Sequence, residues 1–151
     1  MVTPSSIYLS HSVADTERVA GDFARGLAPG TCVALHGDLG AGKTQFVRGI
    51  VAALGGDPRS VSSPTYVLLH VYPTPRLPVY HLDAYRVFGP DDFEQIGFGE
   101  LLEQNGIVIV EWPSRVSALL PAGTIEVTIE AIGEFDRQIT IAPLPDEPDA
   151  A

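Results

Sequence analysis

Apolar positions along the chain switch between strand-length runs and stretches of helical period. Ile7-Tyr8-Leu9 opens as a short strand. Ser12 then stands where an N-cap is wanted, ahead of a predicted helix from about Val13 to Leu27. Asp15 lies in its first turn, Val19, Phe23 and Leu27 share a face, and Pro29-Gly30 closes it. Thr31 to His36 is a nearly unbroken apolar run between turn signals, the pattern of a buried strand. After a Gly-rich stretch, Phe46, Val47, Ile50, Val51 and Leu54 recur at helical spacing until Gly55-Gly56-Asp57-Pro58 stop them. Strands are predicted at Tyr66 to Tyr72 and Pro78 to Leu82, joined by Pro73-Thr74-Pro75. Short helices follow from Pro90 and over Phe98 to Gln104. Ile107-Val108-Ile109-Val110 is a further buried strand and Ser114 to Leu120 another short helix. Thr124 to Ile132 and Arg137 to Ala142 alternate as a closing antiparallel pair turning at Gly133-Glu134. Helices alternating with apolar strands predict a three-layer α/β fold.

The 151 residues suit one domain, expected over residues 1–142; the tail 143–151, with three Pro and three acids, is expected to fray. No apolar run approaches the ~18 residues of a membrane span, and the N-terminus lacks signal-peptide order. The lone Cys32 excludes an intramolecular disulfide and a Cys-based zinc site, so a reducing cytoplasm is expected. Nine Lys plus Arg against nineteen Asp plus Glu leave a net charge of −10. Gripping nucleic acid unaided requires a basic patch, so any contact with RNA or DNA is expected to fall to a partner. Eight of the cations are Arg and one is Lys, Lys43.

Lys43 closes the string Gly37-Asp38-Leu39-Gly40-Ala41-Gly42-Lys43-Thr44, which matches G-x-x-x-x-G-K-[ST] and lies between a predicted buried strand and an amphipathic helix. Glycines let successive backbone N–H groups curl around a phosphate, and the helix N-terminus aims its free N–H groups at the same anion. Lys43 carries a charge to the β- and γ-oxygens, and Thr44 offers a hydroxyl to Mg²⁺. A nucleoside phosphate is the expected ligand, bound by residues 38 to 44. Asp38 is an acid inside an anion loop, either capping it or pointing at a partner.

Mg²⁺ beside Thr44 needs a carboxylate, and ligands of open α/β sheets sit beyond the carboxyl ends of the strands. Asp83 follows Val79-Tyr80-His81-Leu82, and Glu111 follows Ile107-Val108-Ile109-Val110. Asp83 is assigned to the metal's coordination sphere; Glu111 either joins it or orients the attacking water. Thr65, in Ser62-Ser63-Pro64-Thr65-Tyr66, either places its hydroxyl near the γ-phosphate or Mg²⁺ or belongs to an ordinary turn. His81 shares a strand face with Asp83, and a hydrogen-bonded histidine is favoured there over a second metal ligand. Arg86 reads equally as a phosphate or partner contact and as a surface ion pair. Trp112 is read as packing at the sheet edge and Cys32 as core.

The phosphate-loop string, Ser63-Pro64-Thr65-Tyr66, His81-Leu82-Asp83-Ala84-Tyr85-Arg86 and Glu111-Trp112-Pro113 together resemble the TsaE family (formerly YjeE-type ATPases) from about Val13 to Ile141. The resemblance implies a P-loop NTPase-like mixed sheet with a central parallel part and added antiparallel strands. It also implies ATP and Mg²⁺ as cofactors and slow ATP hydrolysis. TsaB and TsaD are the implied partners, installing threonylcarbamoyl on adenosine 37 of tRNA and being reset by ATP turnover. By motif, Thr44 and Glu111 become Mg²⁺ ligands, Asp83 the Walker-B-like acid, Thr65 a switch residue and Trp112 a support for Glu111. The family's base pocket maps onto Val13, Thr16 and Arg137.

Rival readings remain open from the residues alone. A small-molecule kinase would want an Arg-rich lid, yet the Arg residues are scattered. A GTPase would carry Asn-Lys-x-Asp, which a chain with no lysine but Lys43 cannot contain. A non-hydrolysing, ATP-dependent binding module would need the loop but no water-orienting acid.

Overall fold

The computed structural model describes residues 5–38, 40–62, 69–84 and 90–143. In chain order the elements are β1 (Ser6–Ser10), α1 (Val13–Arg25), β2 (Cys32–His36), α2 (Lys43–Ala53), β3 (Leu69–Tyr72), β4 (Val79–Asp83), α3 (Pro90–Gln95), α4 (Phe98–Leu102), β5 (Ile107–Glu111), β6 (Ile125–Ala131) and β7 (Arg137–Pro143). Residues 66–68 of the third predicted strand, and 144–151 of the predicted tail, lie outside the described residues.

Local chemistry accounts for the helix ends. Ser12 Oγ accepts from Asp15 N at 3.0 Å, so α1 starts where the N-cap signal placed it. It ends at Arg25, two residues early, because Gly26 N and Leu27 N bond back to Phe23 O and Ala24 O and tighten the last turn. Leu27 is buried from that tightened turn. The helix predicted over Ser114 to Leu120 is instead 3₁₀ structure over Pro113–Leu119, broken where Val116 leaves helical geometry (φ −129°) and enters the core. A 3₁₀ turn at Pro58–Ser60, capped by Asp57, was not predicted.

Seven strands form one sheet in the order β1-β7-β6-β2-β5-β4-β3. The central four, β6, β2, β5 and β4, are parallel neighbours; β7 and β1 extend one side antiparallel and β3 the other. The expected closing pair β6–β7 is present, and β6 is in addition parallel to β2, which joins that pair to the central sheet. Alternate residues of each strand feed opposite cores. Val33, Leu35, Ile107 and Ile109 meet Phe46 and Ile50 beneath α1 and α2. Cys32, Val108 and Val110 meet Phe93, Phe98 and Val116 on the other face. Each such large side chain contributes roughly 1.5–3 kcal/mol on burial. Gly49 brings α2 against α1, since a Cβ there would stand 2.4 Å from Glu17 O.

The same alternation aims the acids. Glu111 has the parity of Ile107 and Ile109, and Asp83 that of Val79 and His81, so both carboxylates lie on the α2 side. Asp83 and Glu111 are register partners on adjacent parallel strands. Among the described residues, no helix is long and apolar enough to cross a membrane.

Candidate functional site

The loop after β2 enters α2 through Gly42, whose φ of 117° lies in the left-handed region that an L side chain resists. No side chain caps α2, so its first-turn N–H groups have no side-chain acceptor from the cap residue. Lys43, the first residue of α2, is 7% exposed. Its Nζ is the buried polar side-chain atom without a hydrogen-bond partner among the described residues. It stands 3.6 Å from Glu111 Oε1 and 4.0 Å from the centroid of the Trp112 ring. A buried ammonium with an ion pair but no hydrogen bond among the described residues, at a helix N-terminus and a glycine loop, suits a bound phosphate oxygen.

Trp112 reaches Lys43 by an uncommon backbone conformation. At φ 57°, ψ 51° it is left-handed, a state that costs a bulky residue about 1–3 kcal/mol and survives where the surroundings impose it. Its ring therefore covers the ammonium, whereas the residue reading placed it at the sheet edge.

Glu111 is buried with its second oxygen 2.5 Å from His81 Nε2. Burial alone would push its carboxyl pKa up. The His81 hydrogen bond, then the charges of His81 and Lys43, outweigh burial and hold it below the ordinary carboxylate value. His81 is fully buried, and its Nδ1 lies 3.2 Å from the Tyr72 hydroxyl. That hydroxyl is also 3.3 Å from His70 Nδ1 and donates to Ser62 O at 3.3 Å. His81 is thus the hydrogen-bonded histidine expected of it. Tyr72 and His70 went unnoticed in the sequence, although the polar pair His70-x-Tyr72, alternating on a strand that hairpins back onto His81, is a usable signal.

Arg137 staples the β6–β7 turn to the phosphate loop. Its guanidinium donates to Ala41 O at 2.8 Å and Gly40 O at 3.4 Å, and also to Gly133 O, Glu134 O and Asp136 O. A cleft of about 130 Å³ beside the loop is lined by Val13, Thr16, Gly42, Gln45, Phe135 and Arg137. The structure thereby brings together the three residues assigned to a base pocket. The Thr16 hydroxyl is engaged with Ser10 Oγ at 2.7 Å, which leaves exposed Val13 and Phe135 as the apolar walls. On the loop's other flank a cleft of about 520 Å³ runs past Asp38, Trp112, Ser114 and Glu130. Asp38 accepts Ala41 N on its main-chain carbonyl, and the residue is exposed. Leu39, Thr65 and Arg86 lie outside the described residues. Cys32 is core, its thiol pushed by burial to a pKa of about 11.

A parallel-centred sheet with a glycine loop between β2 and α2, and two acids at the ends of neighbouring strands, defines an α/β protein of the P-loop type. The family model for threonylcarbamoyl adenosine biosynthesis protein TsaE matches residues 10–139. The tRNA threonylcarbamoyladenosine biosynthesis protein TsaE of Treponema pallidum is 39% identical over 89% of this chain and 98% of its own length. The protein of the same name from Bacillus subtilis is 36% identical over 83% of this chain and 78% of its own. The crystal structure of Bacillus subtilis YdiB superposes with a TM-score of 0.77 at 27% identity, covering 99% of this chain and 92% of that one. The chain belongs to the TsaE family, whose role is in tRNA threonylcarbamoyladenosine biosynthesis.

Proposed function

We propose that this chain binds ATP with Mg²⁺ at residues 38 to 44 and hydrolyses it slowly, as the nucleotide-driven member of a cytoplasmic complex with TsaB- and TsaD-type proteins. Its turnover resets that complex between rounds of threonylcarbamoyl transfer to adenosine 37 of tRNA. The observation that carries the reading is Lys43 Nζ, buried at the mouth of the loop and without a hydrogen bond among the described residues. The net charge of −10 is in keeping with partners that hold the tRNA.

Lys43 and the first-turn N–H groups of α2 bind the β- and γ-phosphate oxygens. Thr44, Asp83 and Glu111 are the residues that would hold Mg²⁺, which when bound neutralises charge developing on the phosphate oxygens. Glu111, released on one oxygen when Lys43 turns to phosphate, orients the attacking water. Trp112 excludes bulk water above Lys43, which strengthens each electrostatic contact beneath it. Val13 and Phe135 flank the adenine, and Thr65 responds to the γ-phosphate.

One observation favours a second reading, a switch that binds ATP without turning it over. Both Glu111 oxygens face basic side chains, and a carboxyl held below its usual pKa is a weak base. Phosphate release from Mg-ATP by the purified chain, alone and with a TsaB–TsaD pair and tRNA, separates the two. Release that the pair stimulates and Glu111→Ala abolishes supports the ATPase. Tight ATP binding with no release under either condition overturns it in favour of the switch.

A further inference from the structure

His70, Tyr72 and His81 form a cluster of titratable side chains that the phosphate-loop chemistry leaves unused. Their placement follows from register. His70 and His81 are partners across the antiparallel β3–β4 pair, Tyr72 lies two residues from His70 on the same face, and Glu111 lies two residues beyond Ile109, the partner of His81. Three strands thus set Glu111, His81 and Tyr72 in a row on the α2 side of the sheet.

We infer that His81 and Tyr72 are positioning residues that fix the Glu111 carboxylate and tie it to the chain at Ser62. The contact from Lys43 at 3.6 Å is too long to orient a carboxylate, whereas His81 Nε2 at 2.5 Å from Oε2 does so. A ring that faces a carboxylate donates to it from Nε2. Rotation of the ring is resisted on its other side, where Nδ1 meets the Tyr72 hydroxyl at 3.2 Å and no surface is exposed. The Tyr72 hydroxyl gives its single proton to Ser62 O and so accepts from His81 Nδ1–H, and the preceding carbonyl, Val61 O, accepts from Arg48 on α2 at 3.2 Å. The line of contacts therefore runs from the helix that follows the phosphate loop to the acid at the end of β5. Its consequence for turnover rests on the ATPase reading; the tie between the residues does not.

Three variants test it. Tyr72→Phe removes one hydroxyl and keeps the shape. A glutamine amide reaches about as far as imidazole Nε2 and an asparagine amide about as far as Nδ1, so His81→Gln keeps the donor to Glu111 and His81→Asn gives it up. In the nucleotide-free wild type, proton NMR is expected to show an exchange-protected, far-downfield imidazole N–H. It disappears in both His81 variants and moves in Tyr72→Phe. Phosphate release is expected to fall on the order of tenfold in Tyr72→Phe and His81→Asn, less in His81→Gln, with affinity for a fluorescent ATP analogue unchanged. No downfield proton in the wild type, or one that Tyr72→Phe leaves in place, overturns the inference. So do equal losses in the two His81 variants alongside wild-type turnover in Tyr72→Phe. A wild type that shows the signal yet releases no phosphate overturns the ATPase reading and supports the tie. Tyr72→Phe alone decides the matter if the His81 variants do not fold.

Discussion

The two halves of the sheet handle charged groups in opposite ways. In the parallel half, Lys43, His81, Asp83 and Glu111 are all less than a tenth exposed and converge at the ends of neighbouring strands. In the antiparallel wing, ion pairs such as His11–Asp136 lie in solvent, and Ile7, Tyr8 and Leu9 of β1 are exposed beside them. Buried charges are costly to desolvate, so each in the first half needs a partner and removal of one partner is severe. Exposed pairs are screened and contribute little. The difference separates the residues proposed for the chemistry from residues that complete a sheet. Arg137 crosses between the two, rooted in the wing and bonded to the phosphate loop.

Glu111→Ala should have the largest effect, since it strands the Lys43 ammonium in a buried site. A loss of about 3 kcal/mol by urea unfolding is expected, together with loss of phosphate release. A variant as stable as the wild type would erase the contrast between the halves. Arg137→Ala cuts the bonds to Ala41 O and Gly40 O and should cost roughly 1 kcal/mol, with ATP affinity weakened about fivefold in a fluorescence titration. Wild-type affinity would confine the wing to a scaffold role. Ser12→Ala removes the N-cap of α1 and should lower stability by about 1 kcal/mol in urea unfolding.

The smallest effect belongs to His11. The hydrogen bond and charge of Asp136 raise its pKa above 6.5. A raised folded pKa means that the link is fully present below about 6.5 and is lost as pH rises through the folded value. An NMR titration should show the raised value and its return towards 6.5 in Asp136→Asn, with no detectable change in unfolding midpoint from pH 6 to 8.

Much of this was legible from residue pattern. The phosphate-loop string, the strands carrying Asp83 and Glu111, and the Ser12 cap each rest on local spacing, and each stands where that spacing put it. The His81–Asp83 face followed from strand period alone. The Trp112 conformation was not legible, because left-handed tryptophan is not a propensity and is held by its contacts. The stapling by Arg137 was hidden as well, since it spans 96 residues to Ala41 and depends on how β7 docks.

By itself the sequence determined the alternation of helices and strands, the glycine-rich loop between β2 and α2, and the family to which the chain belongs. Those depend on short-range sterics, hydrophobic period and turn chemistry, all of which act within a few residues. Only the tertiary structure decided that Lys43 lies against Glu111 and Trp112, that β6 runs parallel to β2, and that Tyr72 braces His81. Such contacts join residues 9 to 92 positions apart, and they arise where the folded sheet sets register and buries polar groups that must find partners.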